Sequence, residues 1–201
     1  MKLTQINTYR LGPIMTLLAE ILQYNKTFVK EKEYEKYATT KFPDKRIVIL
    51  TCMDTRLTEL LLKSMNFKNG DVKLIKSAGA VVTHPFGGIM RSIIVAVYEL
   101  QADEVFIVGH HDCGMSSIDT EKIIGDMVER GIDRSLFKTL RYSGIDMKEW
   151  LYGFDDVTES VKNSVDVVKN HPLMDQTVPI HGLVINPTTG ELDTIVDGYT
   201  K

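Results

Sequence analysis

The chain is poor in cysteine. Among 201 residues there are two, Cys52 and Cys113. That is too few for a disulfide scaffold, and without a visible export signal both thiols are expected to be reduced. They are either packing residues or ligands, because free cysteine is among the most buried residue types and its thiolate binds metals. Long apolar runs are missing too. Stretches such as IIVAV (93–97) are far too short to span a bilayer. The opening residues, MKLTQINTYRLGPIMTLL, hold no compact apolar segment of the secretory type, so a cytoplasmic protein is expected. Nor does charge of one sign dominate. With 24 basic and 27 acidic side chains the net charge is −3, which gives no electrostatic reason to expect nucleic acid or an anionic membrane as partner. Repeats, low-complexity tracts and linkers are absent. One domain is expected over residues 1–201, with a helical extension over about 1–42.

What is present is an alternation of short apolar strands and amphipathic helices. Residues 13–41 begin with a proline suited to a first helical turn, then repeat apolar positions at helical spacing before a charged, solvated stretch. KRIVILT (45–51) predicts a buried strand, TELLLKSM (58–65) a helix, and DVKLIKSAGA (71–80) a second strand. GGIMRSIIVAVYELQA (87–102) fits a helix and EVFIVGH (104–110) a third strand. Such an order predicts right-handed βαβ units, an α/β fold with a mainly parallel sheet and helices on both faces. Short helical pieces follow over 119–151, and an amphipathic helix over 156–172 is stopped by Pro172. The segment IHGLVINPTTGELDTIVDGY reads as two further strands around the turn NPTTG, adding to the sheet.

Sites on open parallel sheets lie outside the carboxyl ends of the strands, near a reversal of strand order. TCMDTR (51–56) follows the first strand and GHHDCG (109–114) the third. If the second strand pairs on the far side of the first, these two segments meet at one crevice. His110-x-x-Cys113 then lets one tight turn offer an imidazole and a thiolate to a single ion. Cys52 adds a second sulfur, and two sulfurs with one nitrogen suit tetrahedral zinc. Cys52-x-Asp54-x-Arg56 alternates, so an extended backbone aims its three side chains the same way. Asp54 and Arg56 can pair, keeping the carboxylate ionised; the competing reading is an ordinary surface ion pair at a helix start.

C-x-D-x-R followed by H-x-x-C within G-H-x-x-C-G resembles the zinc signature of the β-class carbonic anhydrases, and is similar to the short bacterial members with CMD-x-R and DCGM. The resemblance covers residues 45–115, including SAG after the second strand, and extends loosely to the last strand pair. It implies one Zn2+ per chain held by Cys52, His110 and Cys113, with Asp54 and Arg56 as catalytic dyad. The implied activity is reversible hydration of CO2 to bicarbonate and a proton. It also implies at least a homodimer, for which the early helix offers an apolar face. Asp54 could instead join the metal as fourth ligand and close the site. Lys76 and Ser77 depart from the Arg-Asn of many members, and no role is carried over to them.

Other readings stay open beside this one. The same site could hydrolyse COS or CS2, or serve as a noncatalytic zinc-stabilised binding module. A redox or nucleophilic thiol requires a metal-free protein. His111 follows a candidate ligand and is expected to point away from it, with a proton relay as the alternative. Asp112 reads as a turn residue. His84, His171 and His181 are expected to be structural, and HPFGG lacks the Lys-Ser/Thr that a phosphate loop needs.

Overall fold

A computed structural model describes residues 16–200. The described residues fall into two compact units that divide between Thr39 and Thr40. In the first, Thr16 caps helix α1 (Leu17–Lys30) by accepting from the Ala19 N–H at 3.3 Å. The proline proposed for its first turn lies outside the described residues. Lys32, with φ of 56°, turns the chain into a 3-10 segment at Glu33–Tyr37, short of the end of the predicted stretch. No residue of α1 is buried, and Leu17, Leu18, Ile21 and Leu22 are more than half exposed.

The second unit is built on a five-stranded sheet of β1 (Ile47–Cys52), β2 (Val72–Ser77), β3 (Glu104–His110), β4 (Ile180–Ile185) and β5 (Leu192–Val196). The order is β2-β1-β3-β4-β5, with every pairing parallel except the last. The chain therefore leaves β1 to one side for β2 and returns to its other side for β3. That reversal opens a crevice between β1 and β3, the switch point at which ligands of such sheets collect.

Strand alternation divides the core into two layers. Val48, Leu50, Val105 and Ile107 face one side, against Met90, Ile93 and Ala96 of α3 (Gly88–Tyr98) and Val161, Val165 and Val168 of α7 (Val157–Lys169). Ile49, Val108 and Ile185 face the other, against Leu57 and Leu61 of α2 (Leu57–Ser64). The sheet is thus covered on both faces, as its near-continuous apolar strands require. Between β3 and α7 run α4 (Thr120–Glu129), α5 (Arg134–Tyr142) and α6 (Met147–Leu151). Each begins at an aspartate, Asp119, Asp133 or Asp146, whose side chain accepts a backbone N–H of the first turn.

Two predicted elements end early for local reasons. β2 stops at Ser77 because Gly79 (φ 72°) and Ala80 (φ 58°) turn the backbone left-handed. α3 stops at Tyr98, and Gln101 (φ 60°) redirects the chain into β3. The close approach of α7 depends on Gly182. A Cβ there would meet Val161 Cγ1 at 2.8 Å and Val165 Cγ2 at 3.1 Å, both on a helix that cannot yield locally. Gly182→Ala is therefore expected to cost about 1–3 kcal/mol by overpacking, read as a lower midpoint in urea at unchanged slope. Adding Val161→Ala should return part of that loss.

Candidate metal centre

β1 ends at Cys52 and β3 at His110, side by side across the parallel ladder that pairs Thr51 with Val108. The Thr51 hydroxyl donates to the Val108 carbonyl at 3.1 Å, tying the strands together just beneath the crevice. Beyond His110 the chain turns through Asp112, with φ of 53°, and delivers Cys113 back toward Cys52. The two sulfurs lie 3.9 Å apart. The donor atoms of Cys52, His110 and Cys113 all fall within 4.8 Å of one another, and the three residues are buried. Among the described residues no other such group of three occurs.

The donor set fits a metal. His110 Nδ1 faces the His111 carbonyl at 2.8 Å, which makes it a protonated nitrogen, so that in the neutral ring Nε2 carries the free lone pair. Nε2 is buried without a hydrogen-bond partner, an expense that an ion would remove. Two sulfurs bound tetrahedrally at about 2.3 Å from one zinc stand roughly 3.8 Å apart, close to the observed gap. The thiols are unequal. Burial pushes Cys52 up, but the His110 imidazole and the backbone N–H groups at Asp54 and Gly79 more than reverse this, so its net shift is downward. Burial and the nearby Cys52 sulfur push Cys113 up. Cys52 is the first of the pair to ionise.

Asp54 and Arg56 stand at the lip of this cluster. Arg56 donates from Nε to Asp54 Oδ1 at 3.1 Å and from Nη2 to Asp54 Oδ2 at 2.9 Å, while the Arg56 backbone N–H reaches Oδ1 at 2.8 Å. These bonds hold the Asp54 carboxyl down at about 2. Its Oδ2 is 3.8 Å from His110 Nε2. The ion pair thus lies against the donor group. An open cleft of about 560 Å³ lies in front, walled by Met53, Ala78 and Met115.

Sequence reasoning missed two features here. Asp112 is a turn residue, as expected, but its carboxylate and carbonyl also bind Arg56, at 2.8 and 2.9 Å. Nothing in the spacing signals this. The second is the wall formed by Met115 and Phe154, against which Gly79 is packed at 3.0–3.1 Å from an added Cβ. Lys76 points to Thr58, and Ser77 Oγ is buried without a partner. His111 is half-exposed, 3.5 Å from Asp193. His84 and His171 accept neighbouring backbone N–H groups, while His181 stacks on Phe106. None of these four joins the donor group.

The chain belongs to the carbonic anhydrase family, whose sequence model matches residues 47–192. Within that family it falls in the β class. It is similar to the crystal structure of β-carbonic anhydrase isoform I from Trichomonas vaginalis, with 35% identity, a TM-score of 0.83, and coverage of 92% of this chain and 100% of that one. YtiB of Bacillus subtilis (strain 168), itself provisionally named a carbonic anhydrase, is 61% identical over 93% of this chain and 100% of its own length. More distant is the carbon disulfide hydrolase of Acidithiobacillus thiooxidans, 27% identical over 74% of this chain and 76% of that protein.

Metal uptake must displace protons, since the ligating forms are two thiolates and a neutral imidazole. With the Cys113 thiol pushed up, zinc binding to the metal-free protein at pH 8 should release at least one proton. The number should rise as the pH falls and Cys52 and His110, whose imidazole is shifted upward by the Cys52 sulfur, take up protons. Calorimetry in buffers of different ionisation enthalpy gives the count, and a value of zero at pH 8 would exclude thiol ligation.

Proposed function

We infer that the protein catalyses reversible hydration of CO2 to bicarbonate and a proton, with one zinc per chain held by Cys52, His110 and Cys113. One observation carries this reading: a buried imidazole nitrogen without a hydrogen-bond partner faces two buried thiols beside an arginine-held carboxylate. Bound there, zinc supplies Lewis-acid activation of water, damped because two thiolates cancel its charge.

The remaining work falls to the chain. Asp54, ionised at any physiological pH, is too weak a base to store the proton near neutrality. Its part is to accept a hydrogen bond at Oδ2 and so orient the attacking oxygen in the cleft. Arg56 holds that carboxylate by two side-chain bonds. Pairing with Arg56 also keeps Asp54 out of the donor set, which supports an open site over a four-ligand, purely structural one. Met53, Ala78 and Met115 provide an apolar wall suited to a small linear molecule without charge.

A second substrate, CS2, is favoured by the likeness to a protein named as a carbon disulfide hydrolase. The two reading heads of one experiment separate them: stopped-flow CO2 hydration and sulfide release from CS2, on protein of measured zinc content. Full zinc with neither activity would leave a binding module. Asp54→Ala should keep its zinc and lose about a hundredfold or more in CO2 hydration; rates near wild type would remove the dyad from the mechanism.

Residues 1–201 are read as one β-carbonic-anhydrase-like domain, with a helical extension over about 1–42 of which α1 is the described part. No helix among the described residues is long and apolar enough to cross a membrane, and two unbridged cysteines suit the reducing cytoplasm. The exposed leucine and isoleucine stripe of α1 favours a homodimer or a larger homo-oligomer. Light scattering should give a mass of at least two chains, and Leu18→Glu with Ile21→Glu should lower it.

A further inference from the structure

We propose that Asp112 is a positioning residue of this site: it holds Arg56 across the cleft and thereby sets where the Asp54 carboxylate stands beside the donor cluster. The inference rests on the roles given above to Asp54 and Arg56. These two residues are close in sequence and bond within one loop. A pair so local can swing as one body without breaking a bond of its own. Some contact from outside the loop must fix it relative to the three donors.

Asp112 makes that contact twice. Arg56 Nη1 donates to Asp112 Oδ2 at 2.8 Å, and Nη2 donates to the Asp112 carbonyl at 2.9 Å. Asp112 sits in the turn between His110 and Cys113, so the guanidinium is tied to the segment that carries two of the three donors. The two aspartates divide the planar fork between them. Nε and Nη2 serve Asp54, while Nη1 and Nη2 serve Asp112. Rotation toward either partner loses the other, which is the geometric use of arginine that lysine cannot copy.

The backbone conformation favours the same reading. A φ of 53° lies in the left-handed region, which aspartate tolerates better than most residues but which still has to be stabilised by its surroundings. In that conformation the carboxylate and the carbonyl of one residue reach the same guanidinium. The Asp112 side chain is 85% exposed, so packing does not hold it there; its bond to Arg56 does.

Asp112→Gly and Asp112→Asn test the proposal, because glycine and asparagine both accept the left-handed backbone and neither strains the turn. In the zinc-loaded protein, Asp112→Gly should keep its metal and lower kcat for CO2 hydration about fivefold with KM within about twofold, whereas Asp112→Asn, which retains an acceptor oxygen, should stay within about twofold of wild type. On an Arg56→Ala background, Asp112→Gly should have no further effect. An unchanged kcat in the glycine variant, loss of its zinc, equal losses in both variants, or a full additive effect without Arg56 would each overturn the role. A readout independent of turnover is the Arg56 Nε–Hε resonance in nitrogen-15 spectra, expected to shift and exchange faster in Asp112→Gly. If it does so while wild type hydrates no CO2, the functional reading fails and the positioning role stands. If it does not move, the positioning role fails whatever the activity.

Discussion

The parallel ladder between β1 and β3 is the constraint on which the rest of the site depends. It sets Thr51 opposite Val108 and so brings the ends of two distant segments to one level. Because β2 is displaced to the outer side of β1, nothing lies between Cys52 and the turn after His110. A shift of one residue in this register would invert the faces of the strand and send Ile49 toward the α3 and α7 layer. Burial opposes that shift strongly, since Ile49, Leu50, Ile107 and Val108 are all fully enclosed. Precision at the crevice is therefore inherited from packing several residues below it.

On this frame the site arranges charge in two tiers. The inner tier is buried and holds two sulfurs and a nitrogen, His110 Nε2, that has no hydrogen-bond partner. The outer tier holds Asp54, Arg56 and Asp112 in one hydrogen-bonded row that runs from a mostly covered carboxylate to an exposed one. Keeping the full carboxylate charges in the outer tier avoids the cost of burying them. It also brings Asp54 within 3.8 Å of the inner nitrogen. An ion entering the inner tier would meet a carboxylate already engaged elsewhere.

Much of this was legible before any coordinates. Apolar runs of β-branched residues gave the strands, NPTTG gave the last turn, and Asp112 was read as a turn residue. The meeting of Cys52 with His110 and Cys113 followed from a general rule about parallel sheets, given the strand order. What stayed hidden depends on long-range geometry or on backbone torsion. The early end of β2 needs the left-handed pair Gly79 and Ala80, and alanine gives no warning of it. The bond from Asp112 to Arg56 joins residues 56 positions apart, and an aspartate between two better candidates looks like a spacer. Gly182 carried no signal until α7 was seen against it.

Cys52 and Cys113 belong to the same apolar cluster as Leu57, Leu61, Val108 and Ile185. The donor cluster is thus one wall of the core and not an ornament on its surface. For a chain that takes up zinc there, a molecule that binds only the folded state stabilises it by mass action. Part of the durability of the fold is then held outside the polypeptide, in the free concentration of an ion. Starvation for metal and heat would act on the same few side chains, and the cell's zinc supply would govern the lifetime of the protein as well as its activity.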